Sequence, residues 1–190
     1  MTAFLVFLAL VAISVAYGFS LYNGLVRLRE SVKQAWSNIG VLLKQRHDEL
    51  PKLVETCRQY MTYEQETLER VLKARAQVAS AQGAGDVAQL GSAEAALKSG
   101  LARLYAVAEQ YPVLKASEAF MHLQSRITGL EEQIADRREL YNETANLYNT
   151  RQAEFPDSLI VGLGDFKHSR LLEFSAEETS DPSVKALFRD

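Results

Sequence analysis

No charged side chain occurs before Arg27, and 18 of the first 22 residues are apolar. A chain that begins this way cannot fold as a single soluble globule without hiding or removing that run. Ala3 to Leu21 is a stretch of 19 residues. At a rise of about 1.5 Å per residue it reaches about 28 Å, close to the roughly 30 Å of a hydrocarbon core. Tyr17 and Tyr22 stand at its far end, where an amphipathic ring favours the interface. A cleaved signal peptide is the competing reading, and it needs a basic start and a small-x-small cleavage site. No Lys or Arg precedes the apolar run and Val15-Ala16-Tyr17 fits that site poorly, so residues 1–22 are expected to stay as a transmembrane anchor.

Direction follows from charge. The N-terminal side offers only its α-amino group, whereas Arg27, Arg29 and Lys33 follow the span against Glu30 alone. Basic residues are retained on the cytoplasmic side. The expected product is a single-pass protein of the bacterial inner membrane, N-terminus outside and body cytoplasmic. These three membrane-proximal basic residues can also attract anionic headgroups.

Beyond residue 22 the apolar period becomes helical. Leu25, Leu28, Val32, Ala35/Trp36, Ile39 and Leu43 step by three and four, with charged residues between them. A break is expected near Arg46-His47-Asp48, because Asp48 suits a cap and Pro51 suits a first helical turn. A second helix then carries Leu53, Cys57, Leu68 and Val78 to the stop at Gly83-Ala84-Gly85, and Asp86 begins a third. The third is weakened by Gly91 and Gly100 and reaches Tyr111-Pro112. The fourth runs from Leu114 to Tyr148 and closes at Phe155-Pro156. The fold class is therefore all-α: residues 23–155 form an antiparallel up-and-down four-helix bundle, followed by an irregular tail over residues 156–190 that packs in part on the bundle. The alternative is one helix continuing through Pro51 with two partners. In the tail, Asp181-Pro182 is expected to start one short helical turn.

The chemistry expected of this chain is sparse. Its 21 Lys+Arg against 24 Asp+Glu give a net charge of -3, which argues against a nucleic-acid surface. A single Cys excludes an internal disulfide, and Cys57 lies among apolar positions. A di-metal bundle asks for two Glu-x-x-His motifs. His47, His122 and His168 follow Lys44, Ala119 and Asp165 by three, so none completes one. Glu118 and His122 share a helix face, but no second cluster joins them. Hydrolase and phosphate-loop motifs are missing, and Gly162-Leu163-Gly164 reads as a turn. No catalytic residue, metal ligand, cofactor or small-molecule substrate is expected. Glu64, Arg75, Glu109 and Arg138 fall on or beside the stripes and are expected to form an interhelical polar network, since a buried charge needs a partner. Tyr141-Asn142 and Tyr148-Asn149 repeat at an interval of seven and face the same way.

Taken in order, Tyr22-Asn23, Ala35-Trp36-Ser37-Asn38-Ile39, Leu43-Lys44, Leu50-Pro51, Glu109-x-Tyr111-Pro112, Phe120-x-x-Leu123-Gln124, Arg138-x-x-Tyr141-Asn142 and Phe155-Pro156 resemble the LemA family of bacterial membrane-anchored proteins. The resemblance covers residues 1 to about 156 and is loose beyond. Lys52, Gly40 and Val113 depart from the family's usual residues. It implies one N-terminal span, a four-helix bundle, ties to membrane organisation and no agreed enzymatic activity. The function expected is a non-catalytic scaffold or interaction protein, with the lipid bilayer, membrane proteins or copies of itself as partners. The alternatives are a membrane-shaping or lipid-engaging protein, and an enzyme or metal-binding bundle centred on Glu118 and His122.

Overall fold

The computed structural model describes residues 1–172. Every regular element among them is helical: α1 (Thr2–Arg58), α2 (Gln65–Ala84), α3 (Val87–Ala108), α4 (Pro112–Lys115), α5 (Glu118–Ala153) and α6 (Ser158–Val161). The turn expected at Asp181-Pro182 lies outside the described residues.

The 57-residue α1 contains an 18-residue window of mean hydropathy 2.4, none of it buried. That window is long and apolar enough to cross a membrane. The same helix then buries Leu25, Val32, Ile39, Leu43, Leu50, Leu53 and Cys57 at steps of three, four and seven. An apolar stripe of this spacing faces one side of a helix, so its burial holds the helix to its neighbours.

The break expected near Arg46–Asp48 does not occur. Pro51 lies inside α1, and the chain turns at residues 59–64. Proline has no N–H for the carbonyl four residues earlier, which is that of His47. Arg75 of α2 donates from Nε to that carbonyl oxygen at 2.8 Å. The orphaned acceptor is thereby served from another helix, and buried Leu50, Leu53 and Val54 carry the stripe across the proline. A helix therefore runs through Pro51, as the alternative reading required, yet three further long helices remain because α2 begins at Gln65.

The stop after α2 falls where its glycines forecast. Gly85 takes φ 64°, a left-handed conformation that suits a residue without Cβ, and the Asp86 carboxylate accepts from the N–H groups of Ala88 and Gln89 at 3.1 Å each. Gly91 and Gly100 do not interrupt α3. Gly100 lies against Val71 with room for a Cβ, 3.6 Å from the nearest methyl. Pro112 opens the single turn of α4, and α5 follows to Ala153.

The chain divides into two compact units. Unit 1 comprises Met1–Leu43 and Leu130–Leu171, and unit 2 comprises Lys44–Gly129 with Leu172. Unit 2 gathers four long helical segments, the end of α1, the α2–α3 hairpin and the start of α5, together with the single turn of α4. Unit 1 has two long segments, from α1 and α5, and the chain of residues 154–171. Its core includes Leu25, Ile39, Ile134, Tyr141, Tyr148 and Phe166.

Candidate functional site

The strongest polar feature of unit 2 is a buried ion pair. Arg46 of α1 donates from Nη2 to the Glu94 carboxylate of α3, with side-chain exposures of 4% and 7%. Charges this deep persist only when paired and hydrogen-bonded. Both residues stand on the stripes themselves, Arg46 between Leu43 and Leu50, Glu94 between Leu90 and Leu97. Beside this pair, the Arg75 Nη2 lies 2.6 Å from His47 Nε2. A guanidinium has only donors, so Nε2 accepts and the neutral ring carries its proton on Nδ1. Burial, followed by the Arg75 charge, lowers the His47 pKa below its usual value. At the surface of the unit, Glu49 accepts from Lys52 and from Arg126 of α5, both at 3.0 Å, and the Lys52 hydrogen bond does most to lower its pKa.

The four residues expected to form a polar network are placed as follows. Arg75 serves His47, and Glu64 precedes α2. Glu109 is exposed and pairs with Lys115, while Arg138 is buried on α5. Sequence reasoning missed Arg46 and Glu94, although their stripe positions were the available signal. Glu118 and His122 are both exposed, and no group of three or more His, Cys, Asp or Glu able to hold a metal occurs among the described residues. The Cys57 thiol is fully buried, and desolvation pushes its pKa up to about 12. Such a thiol is neutral and inert at ordinary pH. A shallow cleft on the α2–α3 hairpin is lined by Gln77, Ser80, Gln89 and Ser92 with small alanines, residues that bring no acid, base or nucleophile pair.

In unit 1 the more informative region joins α1 to the segment after α5. Asn149 straps that segment down: its amide Nδ2 donates to the Ser169 carbonyl at 2.8 Å, and its Oδ1 accepts from the Ser169 N–H at 2.9 Å. The Tyr141 hydroxyl donates to the Arg170 carbonyl at 2.8 Å. Phe166 meets Tyr22 edge to face at 5.4 Å between centroids, and the Arg29 guanidinium lies 5.7 Å from the Phe166 centroid. Gly164 makes this approach possible, since a Cβ there would stand 2.6 Å from the Phe166 ring.

Of the three membrane-proximal basic residues, Arg27 is exposed, and Lys33 is exposed but bonded to Glu30 at 2.9 Å. That bond is the first cause of a lowered Glu30 pKa. Arg29 is half-buried between Glu30 and the Asp165 carbonyl. Arg29, Lys33, Asp165, Lys167 and Ser169 line a cavity of about 280 Å³ with Tyr148, whose buried hydroxyl has no hydrogen-bond partner among the described residues and whose pKa is raised by burial. A second cavity of about 310 Å³ is almost wholly apolar, formed by Val15, Gly18, Phe19 and Tyr22 of α1 with Ile160 and Leu163.

Comparison with known proteins gives one family and a few named relatives. The chain is 33% identical over 89 residues to magnetosome protein MamQ 2 of Paramagnetospirillum magneticum, covering 47% of this chain and 32% of the relative. It is 22% identical to magnetosome protein MamQ of Magnetospirillum gryphiswaldense, covering 77% of this chain and 62% of that protein. It is 25% identical to protein LemA of Metamycoplasma hominis, with 87% and 74% covered. The chain thus spans less than two thirds of the length of the magnetosome proteins it matches. The LemA family model matches residues 35–186, most of the helical body and the segment after it, so the chain belongs to the LemA family.

Proposed function

We propose that the protein is a membrane-anchored, non-catalytic scaffold whose helical body presents surface to copies of itself or to other membrane proteins. The observation that carries this reading is α1: one helix passes without interruption from an unburied apolar window into the stripe that organises the body. A rod of this kind ties whatever the body binds to the bilayer. The reading places the anchor in the bacterial inner membrane and the body on the cytoplasmic side. Leu140 and Leu147 of α5 support an associating surface, because they are 41% and 52% exposed and stand two turns apart on one face. The relatives are named for magnetosomes and for the family, and neither name refers to a reaction.

The test is the mass of the full chain in nanodiscs together with crosslinking in cells. A defined oligomer that Leu140→Asp with Leu147→Asp reduces to monomer is the expected result. A strictly monomeric protein that captures no membrane protein in cells would end the reading.

A further inference from the structure

We infer that residues 155–164 form a second membrane contact, a short apolar element that dips into the same leaflet beside the end of the span. The inference rests on the reading of the first part of α1 as membrane-spanning and adds to it a lipid-facing surface outside that helix. Phe155, Leu159 and Leu163 are 80%, 68% and 76% exposed, so three large apolar side chains within nine residues find no cover among the described residues. The segment carries one charge, Asp157, and that carboxylate is buried and accepts from Arg151 Nη2 at 2.9 Å. Nothing ionic on its outer side opposes entry into lipid.

Position supplies the occupant. Ile160 and Leu163 line one cavity with Val15, Gly18, Phe19 and Tyr22. Val15 and Gly18 precede Leu21, the end of the apolar run, by six and three residues. On a helix this is a depth of about 5 to 9 Å below the end of the run. Interfacial elements bury their apolar face to about the same depth, roughly 5 to 10 Å. The apolar cavity between the two segments therefore faces acyl chains of that leaflet. Further along the chain the polarity reverses: Lys167 and Ser169 come to Arg29 and Lys33, the composition of a headgroup layer. Gly164, held close under Phe166, and the Asn149 clamp on Ser169 fix the element in place.

The test uses full-length protein in liposomes of phosphatidylcholine with brominated acyl chains, which quench a fluorophore they touch. Single variants Leu159→Cys and Leu163→Cys carry the probe, with Ile13→Cys in the span and Val41→Cys, 55% exposed further along α1, as references. The native Cys57 is fully buried and stays unlabelled. Helicity by circular dichroism verifies that each variant is folded. Brominated lipid is expected to remove about half or more of the emission at positions 159 and 163, as at 13, and to leave position 41 unchanged. Quenching at 13 with 159 and 163 behaving like 41 overturns the inference and leaves the span standing, as when a protein partner or water covers the patch. Loss of quenching at 13 as well removes both.

Discussion

Two charged residues on apolar stripes hold together the interior of unit 2. Arg46 and Glu94 take positions on the stripes that Leu normally holds, and each is tolerable only because of the other. Truncating one leaves an uncompensated buried charge, which costs about 3 to 5 kcal/mol. Replacing both by apolar residues of similar size removes the desolvation penalty together with the attraction, and such exchanges are neutral or stabilising by about 1 to 4 kcal/mol. Arg46→Ala should therefore lower stability by about 3 to 5 kcal/mol, whereas Arg46→Leu with Glu94→Leu should restore or exceed the wild-type value. Denaturant titration followed by circular dichroism measures both. If the double variant is as unstable as the single, the pair holds the fold by something other than mutual compensation. The pair was legible in principle, since both residues recur on the three-four spacing. Glu64 and Glu109 also fall on or beside the stripes, yet the first is half-buried and the second exposed, so stripe position alone does not separate a buried charge from a solvated one.

At the level of elements, the sequence was most readable where a rule is local. Two glycines and Asp86 mark the α2–α3 turn, and Gly85 and Asp86 occupy it as backbone geometry demands. The rule failed at Pro51, because the remedy for a proline comes from a residue 24 positions away in α2 and no local pattern reports it. An unbroken stripe from Leu43 through Leu50, Leu53 and Cys57 was the better guide, as burial of those side chains outweighs one missing backbone bond. Pro51→Ala restores an N–H for the His47 carbonyl, so the Arg75 bond to that oxygen becomes redundant. Arg75→Ala should cost about 1.5 to 3 kcal/mol in the native background, the range for a hydrogen bond to a charged group. With Ala at position 51 the same change should cost less by about 1 kcal/mol, with the remaining cost reflecting the bond to His47 Nε2. Strict additivity in this double-mutant cycle would mean that Arg75 does not compensate the proline.

For the molecule as a whole, the question is which side of the membrane the body occupies, because that fixes the leaflet met by residues 155–164 and the compartment of any partner. Only basic residues near the span count strongly in orientation, and acidic ones contribute little. Arg27, Arg29 and Lys33 follow the span and none precedes it, so Glu30 does not cancel their effect although it bonds to two of them. Moving these residues across the membrane would also break the contact of Arg29 with Phe166 or carry the entire strapped segment with it. The proposed arrangement has the N-terminus outside. A membrane-impermeant maleimide distinguishes the two orientations cleanly, because Cys57 is buried and its pKa of about 12 keeps the thiol silent. Thr2→Cys should react in intact cells. Val113→Cys, at a site 71% exposed, should react only after the membrane is opened. The reverse pattern would place the body outside and require the basic residues to have crossed against their usual bias, while reaction of Val113→Cys in intact cells with no trace of residues 1–22 in the mature protein would show that the apolar run is removed instead of retained.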